Sequence, residues 1–78
     1  MEMLRVEWWD AVASNGWESA DDTKANVSLH KIETVGFLVH EDDDCLVLAG
    51  SRSWDDDETN NRMAIPKRWI INRETLRT

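Results

Sequence analysis

The sequence predicts a small all-β domain: a five-stranded antiparallel barrel of the SH3-like or Sm-like kind, with one short 3-10 turn before its last strand. Three observations carry that expectation. Two β-rich apolar runs, residues 34–40 and 45–49, flank the acidic connection Glu41, Asp42, Asp43 and Asp44. Loops of that length join adjacent antiparallel strands, and Asp tolerates the dihedrals such turns need. Strand-like alternation recurs on both sides of this hairpin. Pro66, which has no N–H for a ladder, is followed by Lys67, Arg68 and Trp69, a length suited to a single 3-10 turn.

Each element follows in order. Over residues 3–9, Leu4, Val6 and Trp8 alternate with Arg5 and Glu7, as on a strand with one buried face. The alternation stops over 10–15, and Asn15-Gly16 signals a turn. Trp17 is expected to fold back over the barrel end. Residues 18–28 are polar and read as a loop with one helical turn at most, capped by Ser19 or Asp21. A long second strand covers 28–40, with Gly36 marking a bend that lets one strand serve both halves of the sheet. The third strand is 45–51, a polar loop fills 52–61, the fourth strand is 62–65, and Ile70, Ile71 and Asn72 close the sheet. Residues 74–78 are expected to fray. The expected interior is Val6, Trp8, Val35, Phe37, Val39, Leu46, Leu48, Ile65 and Ile70.

Seventy-eight residues make one domain, 1–78. Such a chain buries only ~60% of the surface its unfolded form exposes, so its core is thin. The single cysteine, Cys45, excludes an internal disulfide and reads as a small core residue. Self-association, as a dimer or higher oligomer, is then the expected support. The cysteine usage fits a reducing compartment. The N-terminus lacks a basic start and an apolar stretch, and no apolar run approaches the ~20 residues needed to span a bilayer. These features predict a cytoplasmic protein with no membrane partner.

Charge is divided along the chain. The net charge of −7 splits into −11 over residues 1–61 and +4 over residues 62–78. An acidic body repels the phosphate backbone, which disfavours duplex nucleic acid as a partner. The basic C-terminal segment suits an acidic patch on a neighbouring subunit, or one small anion.

Few residues of the chain suit chemistry. Asp55, Asp57 and Thr59 occupy EF-hand positions, but Asn60 stands where that loop needs glycine and Pro66 where it needs glutamate. His30, His40 and Cys45 are too few and too scattered for a closed zinc site. A Cys–His pair between His40 and Cys45 lacks an orienting group and an oxyanion loop. The sequence therefore predicts no catalytic residue, no metal, no cofactor and no enzyme. The five tryptophans carry more information. Trp8 and Trp69, which sit in apolar strand context, are the two expected in the core. Trp8 and Trp9 are consecutive on a strand and so face opposite sides, while Trp17 and Trp54 lie in loops. Exposed tryptophans mark protein hot spots or platforms for a base, against the plainer alternative of packing on loops.

The order Val6-Glu7-Trp8-x-Asp10, Gly16-Trp17, Thr34-Val35-Gly36-Phe37-Leu38-Val39, Leu46-Val47-Leu48-Ala49, Ile65-Pro66-Lys67 and Ile70 resembles small uncharacterised proteins encoded by tailed bacteriophages. Members read Cys-x-Ser-Val-Gly-Phe where this chain has Ile32-Glu33-Thr34-Val35-Gly36-Phe37, so that cysteine's role is missing here. The resemblance implies an accessory, non-virion product in the bacterial host cytoplasm, and by analogy a counter-defence role; a minor virion component is a third class. Two functions then compete. In the first, an oligomer sequesters a small nucleotide-type signal: Trp9 or Trp17 stacks on a base, Lys67 and Arg68 meet phosphate, and Asp10 accepts bonds from ribose or base. In the second, an acidic inhibitor occupies a basic, nucleic-acid-binding surface of a host or defence protein. Its contact would be carried by Glu41, Asp42, Asp43, Asp44, Trp54, Asp55, Asp56, Asp57 and Glu58.

Overall fold

A computed structural model describes residues 1–11 and 15–77; the part of the first connection at 12–14 and the terminal Thr78 lie outside the described residues. The elements are β1 (Met3–Asp10), α1 (Ala20–Ala25), β2 (His30–Glu41), β3 (Cys45–Arg52), β4 (Thr59–Pro66), a 3-10 turn (Lys67–Trp69) and β5 (Ile70–Leu76). They form one antiparallel sheet in the order β4-β3-β2-β1-β5. The all-β class and the single turn before the last strand match expectation. The sheet is not closed, because β4 and β5 remain its two edges.

The long β2 explains the shape. His30–Phe37 pairs with β1, whereas Phe37–Glu41 pairs with β3. One strand thus joins two smaller sheets, β5-β1 on its first half and β3-β4 on its second. Gly36 sits at the changeover, as its sequence position suggests. The result is elongated, 54 × 23 × 23 Å, with a radius of gyration of 16.3 Å. A compact domain of this length would have a radius near ~11.5 Å.

The core is one face of this bent sheet: Leu4, Val6, Trp8, Leu46, Leu48 and Ile65, with Ile32, Leu38 and Ile70 packed against it. Directly opposed residues of an antiparallel pair share a face. Leu4 faces Gly36, Val6 faces Thr34 and Trp8 faces Ile32, so the inward positions on β2 are the even-numbered ones. This corrects the expected interior. Val35 and Val39 are 48% and 38% exposed and Phe37 is half-buried; Val35 and Phe37 lie on the other side of β2 and Val39 at a bulge in its pairing with β3, while Leu4 and Ala49 are buried. The physical reason is a trade of size for fit. Thr34 faces inward because its hydroxyl accepts the Trp8 indole N–H at 3.0 Å. Gly36 faces inward because nothing larger fits against β3 there. Trp8 then stacks on Trp69, with ring centroids 6.5 Å apart and planes at 13°. Trp69 is itself 41% exposed, so of the two tryptophans expected in the core only Trp8 is buried.

Two further expectations change. β4 begins at Thr59, three residues earlier than predicted, and β5 runs to Leu76. Residues 74–76, expected to fray, are laddered to β1, with Leu76 opposite Met3. The helical turn is real and is capped by Ser19, whose hydroxyl accepts from the Asp22 amide at 3.1 Å. It buries nothing, and residues 15–31 are exposed throughout, with Trp17 wholly so rather than folded over the sheet.

Candidate functional site

Three charged clusters organise the surface. On the outer face Arg5 of β1 lies between β2 and β5 and meets Glu7, Glu33 at 2.9 Å and Glu74 at 3.6 Å, while Lys31 meets Glu7 at 3.2 Å. Arg5 lies directly across from Glu74, which favours this register, while Glu7 lies directly across from Glu33 and the diagonal cations Arg5 and Lys31 offset that like-charged pair. Both of the carboxylates nearest Arg5 hold its guanidinium protonated, and Lys31 with Arg5 holds Glu7 below the usual carboxylate range.

The second cluster bridges the ends of the open sheet. Glu41, the last residue of β2, takes Lys67 at 2.8 Å and both Arg73 nitrogens at 2.8 and 3.2 Å. The Lys67 amide also donates to the Asp44 carbonyl at 2.9 Å. The basic segment therefore serves an acid within its own chain, 26 to 32 residues away in sequence. Arg73 first and Lys67 second hold the Glu41 carboxyl down to about 2. A carboxyl depressed in the folded state stabilises above its unfolded value, and the contribution fades as pH falls through the folded value. Stability is expected to decline between pH ~4.5 and ~2 and to decline less over that window in Glu41→Gln. Urea titrations of both proteins across that range check this; parallel pH profiles would remove Glu41 from the account.

The turn after β2 is self-contained. Asp42 takes His40 Nε2 at 2.9 Å and accepts the Asp44 and Cys45 amides at 2.8 and 2.9 Å. These contacts, His40 foremost, hold Asp42 well below its usual range. Burial, then the Asp42 charge, pushes the Cys45 thiol up. A raised thiol is a poor nucleophile.

The third cluster is the loop between β3 and β4. Trp54 is 86% exposed, with the Arg52 guanidinium 4.8 Å over its ring. Asp57 lies 3.7 Å from Arg52 Nε, and Asp56 accepts the Glu58 amide at 3.3 Å. Ser53, then that amide, holds Asp56 low. Ser53 donates back to the Glu58 carbonyl at 2.8 Å, closing the loop on itself. Asp55 and Glu58 have no cation partner among the described residues.

Trp9 is 44% exposed on the face opposite Trp8, across from Lys31. Asp10 ends β1 and accepts the Ala11 amide. Trp17 stands clear of the sheet, Lys67 is engaged by Glu41, and Arg68 is exposed without an ion pair among the described residues. Neither principal depression of the surface gathers these five. One of about 450 Å³ is lined by Ala11, Glu18, Thr23 and residues 26–29; the other, about 380 Å³, lies by Arg52, Glu58 and Thr59. The two acidic runs do not form one face either. They cap opposite ends of β3, whose eight residues separate them by roughly 25 Å. Each run has engaged carboxylates, Glu41 and Asp42 in one and Asp56 and Asp57 in the other; what sets the second apart is the loop's exposed Trp54 with Arg52 over its ring. Arg52 is the member of that loop which sequence reasoning missed; an arginine two residues before a loop tryptophan was the available signal.

Among the described residues no group of His, Cys, Asp or Glu is placed to hold a metal ion, and no helix is long and apolar enough to cross a membrane. Comparison with family models, curated proteins and solved structures returns no match.

Proposed function

We propose that this chain is a non-enzymatic counter-defence protein of phage type whose acidic loop occupies a basic surface on a host or defence protein. The observation that carries the reading is the loop at Trp54. A tryptophan backed by arginine on one face, open on the other and followed by four carboxylates suits a partner presenting lysine or arginine. Such a cation would meet the free ring face and the carboxylates together. Tryptophans of this kind supply a large share of binding energy at interfaces. The nucleotide-sequestering reading has less behind it, since Lys67 is already neutralised by Glu41 and, among the described residues, neither depression noted above is lined by Trp9, Trp17 or Lys67. The strand order, with a 3-10 turn before the last strand, is also that of an SH3-like or Sm-like barrel, and we take the sheet as an open relative of that fold.

The test is a photo-crosslinking residue at Ser53, expressed in host bacteria. The reading expects an adduct with a protein bearing a basic surface. That adduct should fall about 30-fold in a Trp54→Ala variant, as loss of a hot spot of ~2 kcal/mol implies. Its yield should also fall when irradiation is carried out in lysate at about 0.5 M salt, where surface charges are screened. A nucleotide retained in native mass spectrometry, with no salt-sensitive adduct, would return the question to the first reading.

A further inference from the structure

The chain exposes 6255 Å². A compact monomer of 9.1 kDa exposes about 4,900 Å² by the usual scaling of surface with mass. The excess is larger than the ~800 Å² each partner gives to a standard interface. Some of it belongs to residues 15–31. Another part belongs to β4, an eight-residue edge strand whose residues 60–64 are all exposed. Natural edges are usually blunted by charge, proline or bulges. β4 carries only Arg62 as a charge, with Pro66 at its end and Asn61 at a φ of 55°. The other edge, β5, carries Arg73 and Glu74, and both are held in ion pairs. β4 is the open edge.

We propose that β4 pairs with β4 of a second copy about a two-fold axis, making one continuous ten-stranded sheet. An axis normal to the sheet runs the two strands antiparallel and keeps each face on its own side, so only residues of like parity can oppose. Two registers give the longest overlap. Centring on Arg62 sets two like charges directly opposite, which destabilises. Centring on Met63 sets Met63 against Met63 and Arg62 against Ala64. Met63 lies across from Leu48, on the core side of the sheet, and is 44% exposed. This register continues the core across the axis.

The same register has a consequence at both ends. Followed one step past the strands, it carries the loop at residues 55–58 of each copy alongside Lys67 and Arg68 of the other. Glu58 comes level with Arg68, and neither has an ion pair within its own chain among the described residues. Glu58 and Arg68 are then complementary between copies, twice over.

Sedimentation at micromolar concentration should show a dimer. Met63→Lys, which sets lysines opposite each other on the axis, should weaken it about tenfold or more. Ile71→Lys on β5 should leave it unchanged. Because a lysine at position 63 could also disturb folding, a second variant fixes the register: in a Cys45→Ser background, Met63→Cys should cross-link the dimer on mild oxidation and Arg62→Cys should not. Glu58→Arg and Arg68→Glu should each weaken the dimer, and together restore it. A parent that sediments only as a monomer overturns the proposal. So does a dimer broken by Ile71→Lys, or one in which Met63→Cys fails to cross-link.

Discussion

Trp8→Ala is expected to cost ~3–5 kcal/mol, the range for removing a large aromatic from a core. Trp8 is 7% exposed and touches three elements: it pairs with Ile32 on β2 and Ile70 on β5, and it stacks on Trp69 of the 3-10 turn. Its loss also strands the Thr34 hydroxyl on the inward face without its indole donor. Against a total stability of ~5–15 kcal/mol for a small domain, that would leave a large unfolded fraction. Phe37→Ala should cost clearly less, because Phe37 lies half-buried on the other face. Urea unfolding of the two variants decides the matter. Equal losses would mean that the inward face of β2 has been assigned wrongly.

That face is also where sequence reasoning and structure part. On β1 and β3 the pattern was legible, since Leu4, Val6, Trp8 and then Leu46, Leu48 alternate with polar or smaller neighbours. On β2 the bulky residues Val35, Phe37 and Val39 imitate an inward row, yet the true row is Ile32, Thr34, Gly36 and Leu38. Periodicity ranks residues by apolarity alone. It cannot register that a threonine is needed as a partner for a buried indole, or that a glycine is needed where two strands press together. The same limit hid the true extent of β5, whose polar residues 72–75 are ordered by pairing to β1 and not by burial. The acid and base runs were visible at once, but their partners were not. Glu41 with Lys67 and Arg73 is a contact made by the bend in β2, and no local pattern announces it. The Trp54 loop stood out by composition; what the fold added was its separation from the other acidic run and the arginine behind the ring.

Gly36→Ala should destabilise the fold by ~1–3 kcal/mol, the cost of forcing an added methyl into a close-packed site. The opposite sign has a claim to be heard. Alanine loses less backbone freedom than glycine on folding, an advantage of roughly 0.5–1 kcal/mol inside a strand. Sterics decide against it. A Cβ at residue 36 would lie 2.7 Å from the Ala49 carbonyl oxygen and 3.1 Å from the Leu48 Cβ. Neither neighbour is the free end of a flexible side chain, so relief requires β3 to move as a whole. Residue 36 is also the last but one before β2 passes from β1 to β3, and displacing β3 there opens the joint between the two halves of the sheet. Gly50→Ala provides the comparison, since its nearest neighbour, the Asn61 Cβ, lies at 3.3 Å and is a side-chain atom, not a backbone carbonyl as at residue 36. That variant should fall within about 0.5 kcal/mol of the parent. Thermal melts of the pair, with near-ultraviolet dichroism of Trp8 and Trp69 reporting the core, would separate the two positions. A Gly36→Ala variant as stable as the parent, with an unaltered tryptophan signal, would show that β2 does not turn at this residue.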